Sequence, residues 1–270
     1  MDTRPIPSTH EALPRIGMGT WSTFDVGPAE YAARREVLRA FFAGGGRVLD
    51  SSPMYGRAQR VLGDLLPDIA GHEDAFVATK VWTRGAQQGR AQIETSTEEI
   101  GGRVDLMQVH NLLDYDAHIG PLRADKAAGR IRYVGITDYR HSAFDELERI
   151  MREDGVDFVQ LPYSVVDREA EARLLPCAAD TGTAVLVMRP FAEGDLFARV
   201  RGTPVPDWAA EIEATSWAQV FLKFVLSHPA VTCPIPATSK VSHMRDNLKA
   251  GTGPLPDAAL RRKIIAAIDG

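Results

Sequence analysis

Residues 131–161 read IRYVGITDYRHSAFDELERIMREDGVDFVQL. The run 131–136 is nearly all apolar, as expected of a parallel strand buried on both faces. The stretch 142–153 opens with Ser142, has Glu146 four residues later, and sets Phe144, Leu147, Ile150 and Met151 in one apolar stripe. A second apolar run, 158–161, follows. Strand, amphipathic helix and strand in succession form a βα repeat, and the same alternation extends almost to both ends of the chain.

Working outward, strand candidates fall at 15–18, 47–50, 75–80, 104–109, 131–136, 158–161, 184–188 and 231–235. Eight units in 270 residues give about 34 residues each, the arithmetic of a (β/α)8 TIM barrel in the α/β class. An open doubly wound sheet is the runner-up, but Gly17-Met18-Gly19 runs into Thr20-Trp21 and not towards a third glycine. Helical patterns at 29–43, stopped by Gly44-Gly45-Gly46, and at 216–227, stopped before His228-Pro229, fill the gaps, and 257–268 reads as a closing helix. Residues 5–14 carry apolar positions on either side of Ser8-Thr9-His10-Glu11, suiting a short N-terminal hairpin that plugs the barrel floor. No linker divides residues 1–270, which predicts one domain. The stretch 194–206 has the least periodicity and is expected to be a functional loop.

Composition narrows the function. The chain is 44% hydrophobic and 25% charged with a formal net charge of −5. A mildly acidic chain lacks the electrostatic footprint of a nucleic-acid binder, and Arg261-Arg262-Lys263 reads as the solvated face of the last helix. Cys177 and Cys233 stand far apart in apolar surroundings, with no CxxC and no metal-ligand spacing, so neither a disulfide nor a metal site is expected. Met1-Asp2-Thr3-Arg4 begins no leader and no run reaches membrane-spanning length, which predicts a cytoplasmic chain without a membrane partner. A monomer is the default, since no surplus apolar helix stripe is evident.

Barrel enzymes build their sites at the C-terminal ends of the strands. Reading those ends yields Asp50, Lys80 and His110, with Tyr55 in the loop after Asp50. Singly, each has an ordinary structural explanation: a cap, a solvated strand end, a packing ring or a satisfied imidazole. Together they place an acid, an amine, a phenol and an imidazole at one mouth. A neighbouring ammonium lowers the pKa of a phenol, a carboxylate holds the ammonium, and an imidazole orients a carbonyl oxygen. Carbonyl reduction by hydride needs such a proton donor.

The segment Leu49-Asp50-Ser51-Ser52-Pro53-Met54-Tyr55-Gly56-Arg57-Ala58-Gln59-Arg60-Val61-Leu62-Gly63 resembles the D-(T/S)-(A/S)-x-x-Y-G-x-x-E-x-x-L-G signature of the aldo-keto reductase family. Thr79-Lys80-Val81-Trp82 is similar to that family's T-K-x-W, and Asp105-Leu106-Met107-Gln108-Val109-His110 to its D-L-x-x-x-H. Val134-Gly135-Ile136-Thr137-Asp138 resembles G-V-S-N, and Ile235-Pro236-Ala237-Thr238 the late I-P-x-(S/T). The resemblance runs in order along nearly the whole chain. It implies a metal-independent oxidoreductase using NADPH, with NADH as the second option, on a small carbonyl substrate. By the same resemblance Asp50, Tyr55, Lys80 and His110 are the catalytic residues: Tyr55 the general acid, Lys80 and Asp50 its tuning pair, His110 the carbonyl orienter. Cofactor contacts are implied at Thr20, Trp21, Asp50, Thr137, Asp138, Gln160, Met188, Arg189, Pro190 and Phe191, and at the adenosine end at Thr238, Ser239, Lys240, His243, Asp246 and Asn247. Trp21, Trp82 and His110 would line the substrate mouth.

Several positions depart from the family pattern. Asp138 replaces an Asn that contacts the nicotinamide carboxamide, and an ionised Asp accepts but does not donate. Met188-Arg189-Pro190-Phe191 stands where relatives read Y-S-P-L, losing the aromatic that stacks on nicotinamide. Ala237 takes a position where many relatives carry Lys for the 2′-phosphate, with Lys240 and Arg245 as substitutes, and Gln59 replaces Glu. After Asn247 little chain remains for a specificity loop, which predicts an open pocket and a broad or bulky substrate range. The altered positions also motivate an alternative, a nucleotide-binding sensor or regulatory subunit with little turnover. A metal-dependent barrel lyase or hydrolase is a further alternative, disfavoured because only Asp50 and His110 qualify as ligands at clear strand ends.

Overall fold

In the computed structural model, which describes residues 1–269, the chain opens with a hairpin of β1 (Thr3–Pro5) and β2 (Ala12–Pro14), paired antiparallel with Thr3 opposite Pro14. Eight parallel strands follow: β3 (Met18–Gly19), β4 (Val48–Asp50), β5 (Phe76–Val81), β6 (Leu106–His110), β7 (Tyr133–Thr137), β8 (Phe158–Pro162), β9 (Ala184–Met188) and β10 (Val231–Pro234). They pair in chain order, and a bridge between Gly19 and Ala237 brings the two edges together. All eight apolar runs therefore become strands, most of them shifted by one or two residues.

The seam explains the largest shift. There the N–H groups of Gly17 and Gly19 donate to the carbonyls of Pro234 (3.0 Å) and Pro236 (3.3 Å). Neither proline has an N–H to return, so this ladder is half-bonded and β3 shrinks to two residues. Gly19 is also required sterically, because a Cβ there would meet the Ile235 carbonyl at 2.8 Å.

Between strands run α1 (Tyr31–Ala43), α2 (Ala58–Leu65), α3 (Ala86–Glu99), α4 (Tyr115–Ala127), α5 (Phe144–Glu153), α6 (Leu174–Thr181), α7 (Asp195–Arg199) and α8 (Trp217–Leu226), with α9 (Val241–Lys249) and α10 (Ala258–Asp269) after β10. The predicted stripe of α5 is buried in full, each side chain contributing about 1.5–3 kcal/mol. Ser142, however, does not cap that helix; a 3₁₀ turn at His141–Ala143 precedes it, and no side chain caps either N-terminus. Ser216 does cap α8, accepting from the Gln219 N–H at 3.2 Å. The stretch 194–206 is not a loop throughout, since α7 lies inside it. Among the described residues no helix is long and apolar enough to cross a membrane.

The barrel interior is filled at its floor. Ile6 and Leu13 of the hairpin pack among Val48, Phe76, Leu106, Phe158, Leu186 and Cys233. With the N-terminal end of the barrel plugged, the opposite rim is left for chemistry.

One junction uses a family departure structurally. Gln59 on α2 is buried; its Oε1 accepts from Thr79 Oγ1 at 2.6 Å, while Nε2 donates to Ser96 Oγ (3.1 Å) and Glu99 Oε2 (3.3 Å). Nearby, a Cβ on Gly63 would sit 1.9 Å from the Glu99 carbonyl, so α2 and α3 touch at the backbone. Gln59→Glu keeps the acceptor, loses both donors and sets a carboxylate against Glu99. It is expected to destabilise the fold by about 1–3 kcal/mol at neutral pH, read as a lowered urea midpoint that recovers as the pH is dropped towards the carboxylate range.

Candidate active site

Parallel strands that pair in chain order end on one rim, and the rim collects the polar residues picked out by strand position. Asp50 ends β4, Lys80 lies one residue from the end of β5, His110 ends β6, Thr137 ends β7 and Met188 ends β9, with Gln160 inside β8. Tyr55 comes from the β4–α2 loop. That loop is held by the Ser52 carbonyl, which accepts from the Tyr55 N–H (3.0 Å), and by Asp25, whose Oδ1 accepts from the Arg57 N–H (3.1 Å) and Nε (2.9 Å). Gly56 between them has φ 61°, a conformation glycine adopts without strain.

Lys80 is almost fully buried and surrounded by acceptors. Its Nζ lies 2.8 and 2.7 Å from the two Asp50 oxygens and 2.8 Å from the Ser51 carbonyl. Gln108 Nε2 donates to Asp50 Oδ1 at 3.3 Å. Nζ also lies 5.1 Å from the centre of the Tyr55 ring, and the Tyr55 and His110 rings meet edge to face at 5.9 Å. Burial pushes the Lys80 ammonium pKa down, while Asp50 pulls it back up.

The sequence leads one to expect a phenol made more acidic by Lys80. The structure shows the reverse balance: burial, then the Asp50 carboxylate, pushes the Tyr55 pKa up, with Arg189 opposing. Asp50 neutralises the ammonium that it holds, so desolvation decides, and the phenol stays protonated. The His110 pKa is pushed down to about 3 by burial and by the Lys80 charge. A neutral imidazole therefore faces the rim.

Asp50, Tyr55 and His110 open on a cavity of about 780 Å³, with Lys80 buried behind them. Of the residues expected to contact cofactor or substrate, Thr20, Trp21, Asp50, Tyr55, His110, Thr137, Gln160, Met188, Arg189, Pro190 and Phe191 line it together. Others are placed elsewhere. The buried Asp138 accepts from the backbone N–H (2.9 Å), Nε (3.0 Å) and Nη2 (2.7 Å) of Arg140, so its carboxylate is already satisfied. Asp246 accepts from Ser216 Oγ and Gln219 Nε2, both at 2.6 Å, and joins α9 to α8. Thr238 Oγ1 accepts from the Lys240 N–H at 3.1 Å, and Asn247 is buried; neither they nor Ser239, Lys240 and His243 line the cavity. Trp82 stands outside the lining, its ring 6.3 Å from that of His110.

The lining also includes residues that the sequence did not single out: Ser22, Thr23, Met54, Asn111, Tyr139, Glu193, Gly194 and Phe197. Gly194 and Phe197 lie in the aperiodic stretch 194–206, the one signal pointing to them. Arg189 stacks over Tyr139 at 4.6 Å and pairs with Glu193 at 3.1 Å, an arrangement made across loops. Among the described residues no cluster of three or more His, Cys, Asp or Glu could hold a metal ion.

Comparison with known proteins agrees with this architecture. The sequence model of the Aldo/keto reductase family matches residues 15–264. The chain is 24% identical over 212 residues to the aldo-keto reductase YhdN of Bacillus subtilis, covering 72% of this chain and 63% of that protein. It is 25% identical over 240 residues to the NADH-specific methylglyoxal reductase of Escherichia coli, covering 76% of this chain and 72% of that protein. Among solved structures, the holo form of aldo-keto reductase AKR11C1 from Bacillus halodurans superposes with a TM-score of 0.82 at 19% identity, covering 99% of this chain and 96% of that one. An aldo/keto reductase from Klebsiella pneumoniae in complex with NADP and acetate gives 0.80 at 22% identity, with coverage of 99% and 96%. The eight-stranded barrel and the family match over residues 15–264 together establish that this chain belongs to the aldo-keto reductases, an NAD(P)H-dependent family of oxidoreductases.

Proposed function

We propose that the chain reduces an aldehyde or ketone to the alcohol with NADPH as reductant, NADH being the second option. The observation that carries this reading is the buried Lys80–Asp50 pair beneath Tyr55, with His110 on the same rim of one cavity. Bound in that cavity, the dinucleotide would supply the hydride that reduces the carbonyl carbon. Tyr55 holds the proton that the developing oxyanion takes, and its raised pKa keeps that proton in place until then. The neutral His110 is suited to hold the carbonyl oxygen near the phenol. The Lys80 ammonium, held by Asp50 and 5.1 Å from the ring centre, stands beside the phenolate left when Tyr55 gives up its proton.

The residues present fit the cofactor at its reactive end. Thr137 Oγ1 and Gln160 Oε1 are buried, have no hydrogen-bond partner among the described residues, and belong to side chains lining the cavity. A nicotinamide carboxamide carries two N–H donors and one carbonyl acceptor, which suits a hydroxyl and an amide oxygen left unpaired. Asp138, bound to Arg140, is not needed for that contact.

The mouth suggests the substrate. Trp21, Met54, Trp82, Tyr139 and Phe197 are the exposed large hydrophobics among the described residues. Four of them line this cavity and Trp82 stands beside His110. An apolar collar gathered at one site marks a binding surface, here for bulky apolar carbonyl compounds.

The test is a fluorescence titration of the protein with NADPH and with NADH, followed by turnover on matched aryl and short-chain aldehydes. Micromolar quenching, tighter with NADPH, and faster turnover of aryl aldehydes are expected. Failure of both nucleotides to bind would overturn the reading, and tight binding without turnover would favour the sensor alternative.

A further inference from the structure

A neutral imidazole has one nitrogen that donates and one that accepts. Whether His110 can donate to anything in the cavity therefore depends on which ring nitrogen holds the proton. That choice is made by a serine outside the set Asp50, Tyr55, Lys80 and His110.

Ser52 Oγ lies 2.9 Å from His110 Nδ1. The serine is completely buried, two residues beyond Asp50 and three before Tyr55. Its hydroxyl has one proton and two lone pairs, and one lone pair is occupied by the Met54 N–H at 3.3 Å. Among the described residues Oγ has no further partner, so Nδ1 is the acceptor available to the hydroxyl proton. Were Nδ1 to carry the proton and donate to Oγ, the hydroxyl proton would be left without a protein partner in a fully buried position, which costs about 1–3 kcal/mol. With the hydroxyl donating, both groups are satisfied. Nδ1 is then unprotonated and the ring proton sits on Nε2, which makes no hydrogen bond within the described chain while its ring lines the cavity.

We propose that Ser52 is a positioning residue: its hydroxyl donates to His110 Nδ1 and fixes the Nε2–H tautomer, so that His110 presents a donor to the cavity. The same short loop supplies Tyr55, whose N–H is held by the Ser52 carbonyl at 3.0 Å. One residue thus couples the orientation of the imidazole to the placement of the phenol. Burial and the Lys80 charge keep the ring uncharged, so the tautomer and not the protonation state governs what it donates.

The tautomer is read directly from long-range 15N–1H spectra of the protein, with His110 assigned by the signals lost in His110→Gln. An unprotonated Nδ1 and a protonated Nε2 are expected, and in Ser52→Ala the Nδ1 resonance should move to that of an imine nitrogen without a hydrogen bond. A proton found on Nδ1, or an Nδ1 resonance unchanged in Ser52→Ala, would overturn the proposal. This readout needs neither cofactor nor substrate, so it stands whether or not the carbonyl-reductase reading holds. The consequence for turnover rests on that reading: Ser52→Ala should lower kcat about tenfold with NADPH affinity unchanged, and Ser52→Thr should restore it. A kcat in Ser52→Ala equal to that of the parent would remove the positioning role.

Discussion

Turnover is expected to fall by about 10²–10⁴ when Tyr55 is replaced by phenylalanine, while the thermal midpoint and NADPH affinity stay close to those of the parent. The separation follows from how Tyr55 is held. Its ring lies beside Lys80 at 5.1 Å and against His110 at 5.9 Å, contacts that phenylalanine keeps. Its hydroxyl makes no hydrogen bond within the described residues, so removing it leaves no buried partner unpaired. What disappears is the proton donor. Steady-state kinetics beside a fluorescence titration make the measurement, and a variant retaining more than a tenth of parental kcat would rule out Tyr55 as the acid.

The second large effect concerns Lys80, where stability and chemistry fall together and a double variant separates them. Lys80→Met strands Asp50, a carboxylate that is 2% exposed and whose two oxygens both receive Nζ. Breaking a buried pair on one side costs about 3–5 kcal/mol, and turnover should be almost lost with it. Adding Asp50→Asn removes the stranded charge. The double variant is expected to regain most of the denaturation midpoint yet none of the activity. Recovery of both would make the pair a purely structural device, and full activity in Lys80→Met alone would dismiss its role beneath Tyr55.

Much of the fold is legible along the chain because its cause is local. A run such as 184–188 is apolar throughout because both faces of that strand are covered, and Ala184–Met188 forms the strand without any shift. The stripe of α5 is likewise visible as spacing and is buried as spaced. The failures have identifiable competitors. The seam prolines shortened β3, and a 3₁₀ turn took the place of a helical start at Ser142. Helix α7 was hidden because five residues are too few to display a period.

By itself the sequence determined the order of eight strands, the plug at the floor, and the identities of Asp50, Tyr55, Lys80 and His110 at one rim. These depend on residue type and on position within a repeating unit, both written in the chain. Only the tertiary structure decided what those groups do to one another. Asp50 offsets the ammonium near Tyr55, so that burial raises the phenol's pKa. Arg140 claims Asp138, α8 claims Asp246, and Ser52 meets an imidazole that the sequence places far along the chain. The physical reason is that electrostatic and hydrogen-bond energies depend on distance and on exclusion of water. Both are fixed when the barrel closes and brings separate loops to one mouth.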